Sequence, residues 1–302
     1  MALSIYNIKK WIRMLRGKSI QHVNQGVGRC FSVSEIKGYY NDLTEKVSEN
    51  QLLDKNGIPL FNAENGKTIY FPIMIFQYGL GAYDLYLLEN KKQMLERMLK
   101  CANWALENQE ESGGWRNFEN EYPKTPYSSM AQGEGISLLV RAYTETKEKK
   151  FLFAAKEAVD FMLTDINKGG TTEYVDNDLF LHEFTHLSTV LNGWIFSLFG
   201  LYDYLLIGKD VDVKDKFLKS VDTLEKTLKH YDNGYWSMYN LSGMITSPFY
   251  HKLHIAQLQV MYDLTSRETF QEYVDKWKNY QKSFFKKSKA FIKKAIQKVF
   301  EK

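Results

Sequence analysis

Three stretches hold most of the groups able to do chemistry. Residues 239–257, YNLSGMITSPFYHKLHIAQ, set Tyr239, Tyr250, His251 and His254 around a loop that opens onto an apolar helical pattern. Titratable groups on a loop carried by a rigid helix suit proton transfer. Tyrosine titrates near 10, so it needs a cationic or hydrogen-bonding neighbour to act near neutrality. His251, His254 and Arg116 are candidates for that neighbour. The second stretch, GGTTEYVDNDLFLHEFTHLSTVLNGW, gathers Glu173, Asp176, Asp178, His182, Glu183 and His186 ahead of Asn192. Its H-E-F-T-H has the letters of the zinc-hydrolase H-E-x-x-H, which sets two imidazoles on one helix face beside a carboxylate. A third ligand at a standard spacing is missing, and no metal is expected. The third stretch, GGWRNFENEYPKTPYSSMAQGEG, offers Trp115 to stack on a sugar and Arg116 to bind a carboxylate. Gln132 and Glu134 in it open an apolar helix, where they would point into a mouth. Each group also has a plain structural use: core packing for Trp115, a hydrogen-bonded buried ring for the histidines, a buried hydroxyl for the tyrosines. Four of the six histidines fall in the first two of these stretches, which favours a site.

The elements that must position these stretches repeat. Segments around Tyr83, Tyr143, Tyr202 and Tyr262 share one apolar helical pattern at a period of about sixty residues. Each is followed by an amphipathic helix, expected at Lys92–Glu107, Lys150–Leu163, Val213–Lys229 and Thr269–Gln281. Glycines then follow, at Gly113-Gly114, Gly169-Gly170 and Gly234, as expected of helix C-caps. Four such hairpins predict a mainly α fold, an incomplete (α/α) toroid. The long loops 110–129, 166–190 and 232–250 should emerge together at one end, where a site belongs. Residues 21–66 are turn-rich, with Asn56-Gly57 and Asn65-Gly66 as turn signals, and predict short strands or a hairpin. The expected organisation is an N-terminal basic helix with short strands and turns over 1–66, the toroid over 67–281, and a basic C-terminal helix over 282–302.

Two cysteines, Cys30 and Cys101, are too few for a disulfide scaffold. No apolar run of 18 residues occurs, so no membrane span is expected. The N-terminus lacks the apolar core of a signal peptide, so a cytoplasmic location is the expectation. The net charge of +4 is unevenly spread. Residues 1–20 hold five cations and no acid, and residues 281–302 hold eight lysines and one glutamate, so the body between them is acidic. Apolar residues recur at helical spacing at both ends. Such basic amphipathic helices could lie on an anionic membrane surface, here the inner face, or dock on the body with their lysines in solvent. Nucleic acid is not an expected partner, because no recognition motif appears and the body is acidic. Oligomeric state is left open by these features.

Five segments carry a resemblance to a known family: GIPLF with IYFPIMIFQYGLGAY, GGW, SSMAQGEGISLLVRAYTETK, STVLNGWIFSLFGLYDY, and YDNGYWSMYNL with YHKLHIAQLQ. In this order they resemble the C-terminal domain of the glucuronyl C5-epimerases, which convert glucuronate to iduronate in heparan-type chains. The resemblance implies an α/α toroid acting on a uronate-containing polysaccharide without a cofactor. It implies proton-transfer roles for Tyr239 and Tyr250 and keeps a glutamate at Glu183. Their places in the long loops and at the helix starts put Trp115, Arg116, Gln132, Glu134, His182, His186, Asn192, His251 and His254 around the expected substrate. Two positions depart from the family: Phe184 stands for a tyrosine, and Ser242 for an arginine. Proton abstraction at C-5 could also lead to elimination, a uronate lyase. Paired carboxylates could hydrolyse a glycosidic bond, and an impaired site would leave a glycan-binding protein.

Overall fold

The computed structural model describes residues 23–63 and 65–300; the basic helix expected over 1–20 lies outside them. Four helical hairpins follow one another. They pair α1 (Pro72–Glu89) with α2 (Lys92–Glu107), α3 (Ser129–Thr146) with α4 (Lys149–Met162), α5 (Leu191–Ile207) with α6 (Val211–Thr227), and α7 (Pro248–Thr265) with α8 (Glu268–Lys282). The first helix of each pair is apolar nearly all round and is buried accordingly: α3 without a break from Ser129 to Ala142, α5 from Leu191 to Leu201. The second buries one stripe, as in Val213, Phe217, Val221 and Leu224 of α6. The inner helices pack in sequence, α1 on α3, α3 on α5 and α5 on α7, each covered by its outer partner. This is an incomplete α/α toroid.

The inner helices can meet closely because of glycine. A β-carbon on Gly133 would stand 2.6 Å from the Phe196 carbonyl oxygen, so the α3 and α5 backbones touch only without a side chain there. Three inner helices end on a left-handed residue, Asn90, Lys147 or Ser266, whose N–H caps the carbonyl of Tyr86, Tyr143 or Tyr262. The sixty-residue tyrosines therefore lie toward the C-terminal ends of the inner helices, close to these tight turns. The glycines after the outer helices act elsewhere than expected. Gly113, Gly169 and Gly234 do have positive φ, but they sit several residues past helix ends at Glu107, Met162 and Thr227. They reverse the chain within the long loops; Gly169, for instance, closes a 3-10 turn over Ile166–Lys168.

The N-terminal segment closes one end of the ring. Tyr39 and Tyr40 insert among the inner helices, Tyr39 stacking on Phe196 and Tyr40 donating to Asp203 Oδ1 at 2.8 Å. Asp203 in turn pairs with Arg141 at 2.6 Å, and the guanidinium also donates to the carbonyls of Lys37, Gly38 and Ser137. Asp84 accepts from Tyr39 N–H, and burial pushes its carboxyl up to about 7. The C-terminal halves of α1, α3 and α5 are thus tied to one strap. The strap continues through a 3-10 turn, Thr44–Lys46, and a hairpin of β1 (Phe61–Asn62) and β2 (Thr68–Ile69) whose connection contains Asn65-Gly66. Lys252 of α7 donates to Asn24, so the strap also bridges the last hairpin to the first. A final helix, α9 (Phe284–Phe300), follows α8. Among the described residues no helix is long and apolar enough to cross a membrane.

Candidate active site

The long loops meet at the N-terminal ends of the inner helices. The second forms a hairpin, β3 (Thr172–Val175) with β4 (Asp178–Leu181), packed on α6 through Leu179 N–H to Thr223 Oγ1. The hairpin delivers His182 and Glu183 to the ring: the His182 carbonyl accepts from Ser129 N–H at the start of α3. The third loop is joined to the second by a bridge between Val190 and Asn240, and the Tyr239 carbonyl accepts from Leu191 N–H at the start of α5. Loop backbones thus satisfy the free N–H groups that open these helices.

Between them lies a cavity of about 290 Å³. Its polar lining includes Glu183, Asn192, Tyr250, Gln77, Lys46 and Gln25, and its apolar lining includes Phe71, Phe118, Phe196, Phe249 and Leu253. Glu183 is buried with Oε2 unmatched, and burial pushes its carboxyl up to about 8. Its side chain lies over Gly193 in the first turn of α5, where an added β-carbon would stand 2.5 Å from Oε2. Tyr250 enters from the start of α7, and Tyr239 meets it edge to face at 5.1 Å. Burial and then Glu183 raise both phenols above their ordinary value. Asn192 keeps Oδ1 unmatched toward the same cavity.

Glu134 reaches the cavity through a neighbour: its Oε1 accepts from Gln77 Nε2 at 2.8 Å, and Gln77 lines the cavity. Burial pushes Glu134 up to about 8, against the Gln77 hydrogen bond and the charge of Lys46. Lys46 is pulled down to about 8 by burial, with Glu134 opposing. Nothing local in DLTEKVSEN marks this lysine. The strap alone brings it there, from 88 residues before Glu134 in the chain, so the sequence reading missed it along with Gln77 and Gln25.

Several expected roles are corrected. Trp115 is not a sugar platform: its indole N–H donates to the Ala105 carbonyl, and its ring packs on Phe76 in the core. Arg116 lies outside the cavity, paired with Glu119 and Glu110. Gln132 is fully buried with both amide atoms unmatched but is not among the lining residues. Residues 182–186 form turns rather than a helix, so the two imidazoles diverge. His182 Nε2 binds Glu173 at 2.9 Å, while His186 Nδ1 binds Thr125 at 2.8 Å beside Tyr122. Phe184 stacks on Phe118 at 4.4 Å, in an aromatic cluster with Tyr122 and His186. Ser242 is spent on Asn240 within its own turn.

His251 and His254 face away from the cavity, toward α8. His251 Nδ1 accepts from Ser237 N–H and lies 2.8 Å from its hydroxyl; Nε2 is 3.2 Å from the Trp277 carbonyl, and the ring stacks on Trp236 at 3.6 Å. Burial lowers His251 to about 4 and His254 well below its ordinary value. Both are neutral packing groups, so neither supplies a cation to the tyrosines. A depressed histidine lends stability above its unfolded pKa of 6.5, and this is lost as pH falls toward about 4. Glu134 and Glu183, with raised values, act with the opposite sign. The wild-type advantage over His251→Gln should therefore shrink by roughly 3 kcal/mol between neutrality and pH ~4. Urea unfolding of both proteins across that range measures it; a constant difference would refute the buried neutral assignment.

The sequence profile described as D-glucuronyl C5-epimerase C-terminus matches residues 100–279. A D-glucuronyl C5-epimerase of Caenorhabditis elegans is 27% identical over 223 residues, 64% of this chain and 36% of that protein. An uncharacterized protein of Methanocaldococcus jannaschii is 24% identical over 173 residues, 55% of this chain and 53% of that protein. The chain thus spans about a third to a half of the length of these relatives. A solved structure of a protein abbreviated UGL with the sugar dGlcA-Glc-Rha-Glc covers 72% of this chain and 60% of its own, at 12% identity and a TM-score of 0.46.

Proposed function

This chain belongs to the D-glucuronyl C5-epimerase C-terminal family, and on that premise we propose that it inverts C-5 of glucuronate residues in a polysaccharide. The observation that carries the reading is the meeting of Glu183, Tyr250 and Lys46 in one cavity. The hydrogen at C-5 is weakly acidic, because the adjacent carboxylate is a poor electron sink. Its removal needs a base of raised pKa and a cation to hold the developing charge. Glu183, pushed up to about 8 in its buried position, suits the base. Tyr250 suits the group that returns a proton to the opposite face, with Tyr239 against its ring as the positioning partner. Lys46 is the one cation among the described lining residues, and in this reading it holds the sugar carboxylate. It takes the cationic part left open by Ser242, from a different region of the fold. Asn192 and Gln77 offer hydrogen bonds to hydroxyls. A cavity of about 290 Å³ suits a single ring.

The test is incubation of glucuronans of different linkage with the protein, followed by product analysis by NMR. Iduronate without chain cleavage supports the proposal. An unsaturated sugar would make it a lyase, and new reducing ends without unsaturation a hydrolase.

Two further expectations follow from Lys46. Its replacement by methionine should lower kcat/KM by roughly ten- to a hundredfold, the worth of a hydrogen bond to a charged group. The pH profile of kcat/KM should rise as Glu183 ionises and fall as Lys46 loses its proton, giving a maximum near 8. Lys46→Arg should hold activity above that maximum, because guanidinium stays charged. An unchanged alkaline limb in Lys46→Arg would remove Lys46 from this role.

A further inference from the structure

The C-terminal helix α9 is amphipathic, yet its apolar face is turned outward. It docks through Ala290, which is buried, and through Gln297, whose side chain accepts from Ile245 N–H at 2.9 Å and donates to the Gly243 carbonyl at 3.0 Å. Lys286 and Lys289 lie over the rings of Tyr280 and Tyr235. At 100° per residue, Phe284, Phe285, Phe291, Ile292 and Ile296 fall within an arc of about 140° on the other side. They are exposed by 76, 85, 41, 59 and 47%. So many large apolar side chains in one exposed stripe mark an interaction surface. Lys287, Lys289 and Lys294 flank that stripe, and acids are absent from 284–300.

From this arrangement we infer that α9 lies in the headgroup region of an anionic lipid surface, with Phe284, Phe285, Ile292 and Ile296 among the acyl chains and the flanking lysines at the phosphates. The charge selects this occupant. An apolar stripe edged only by lysines complements an anionic plane. It repels the basic residues 1–20 of the same chain, and equally the lysine-rich face of a second copy. The consequence reaches the site. Gln297 grips the turn at Gly243 and Ile245, in the loop between Tyr239 and Tyr250. A surface that holds α9 therefore also holds the loop that carries these tyrosines. The polysaccharide would then be met close to the membrane, as a lipid-linked or nascent chain. That last step rests on the function proposed above; lipid binding itself does not.

The test is co-sedimentation of the full chain with vesicles of phosphatidylcholine alone or mixed with phosphatidylserine. Binding to the mixed vesicles alone, weakened by salt, is expected. Lys287→Gln should lower the partition coefficient roughly fivefold. Phe285→Ser with Ile292→Ser should abolish binding and leave the melting temperature unchanged, because both side chains are exposed. Equal binding to neutral vesicles, or binding untouched by these substitutions, overturns the inference. So does binding lost instead in Lys9→Gln/Lys10→Gln/Arg13→Gln, which would assign the contact to the N-terminus. Concentration-dependent dimerisation lost in the Phe285/Ile292 variant would give the face to a second copy and likewise overturn it. Lipid binding without activity on any uronate polymer would leave this inference standing and sink the proposed function.

Discussion

Replacing Glu183 with glutamine should lower kcat/KM on a glucuronan by about 10²- to 10⁴-fold, the usual worth of a positioned acid or base. The fold should survive the change. Glutamine has the same shape, and among the described residues Glu183 holds no ion pair that would be broken. The linkage argument makes the prediction sharper. The native carboxyl titrates near 8 against an ordinary 4.5, so it binds a proton more tightly folded than unfolded. Its contribution is full below the unfolded pKa and is lost as pH rises through about 8. Glu183→Gln should therefore be more stable than wild type above pH ~8 while being nearly inactive. A protein more stable and less active at one position is the signature of a functional group held against its preference for water. Loss of activity with loss of stability would instead mark Glu183 as structural. Gly193→Ala offers a companion, because its methyl would displace the carboxylate without removing it.

The second large effect is on stability and lies at the opposite end of the ring. Arg141→Met should destabilise the protein by about 3–5 kcal/mol, because it strands Asp203 in the core without its partner. Both side chains are almost fully inaccessible. Tyr40 would remain as a hydrogen-bond donor to Asp203, and the carbonyls of Lys37, Gly38 and Ser137 would each lose a donor. The double variant Arg141→Met/Asp203→Leu should recover part of the loss, since an apolar pair replaces an ion pair at far smaller cost than a broken one. Urea unfolding of the single and double variants closes the cycle. The effect should extend to the site, because the same strap carries Lys46. The single variant should raise KM for the uronate polymer at temperatures where it is still folded. A double variant no more stable than the single one would mean the two charges are not coupled.

Much of the scaffold was legible because it is periodic. The four outer helices begin and end within two residues of their expected bounds, since an amphipathic stripe broken by a turn is a local signal. The sixty-residue tyrosines give the spacing of the hairpins, and the hairpins gather the loops at one end. The candidate site was legible in part. Glu183, Tyr250 and Asn192 lie around one cavity, with Tyr239 against Tyr250. The histidines misled because residue type alone does not say which way a ring faces: His251 and His254 share α7 with Tyr250 but turn toward Trp277. Trp115 misled in the same way. Lys46 was hidden for another reason. Its importance arises from an irregular strap whose path is set by Tyr39, Tyr40 and the Arg141–Asp203 pair, contacts with no local period.

The measurement that bears most directly on the central claim is hydrogen exchange at C-5. The protein is incubated with a glucuronan in deuterated water, and the sugar is examined by NMR and mass spectrometry. Deuterium at C-5, with chain length unchanged and with the rate collapsing in Glu183→Gln, is the predicted result. A glucuronan that binds the protein but keeps its C-5 hydrogen, or that exchanges equally fast with Glu183→Gln, would contradict it.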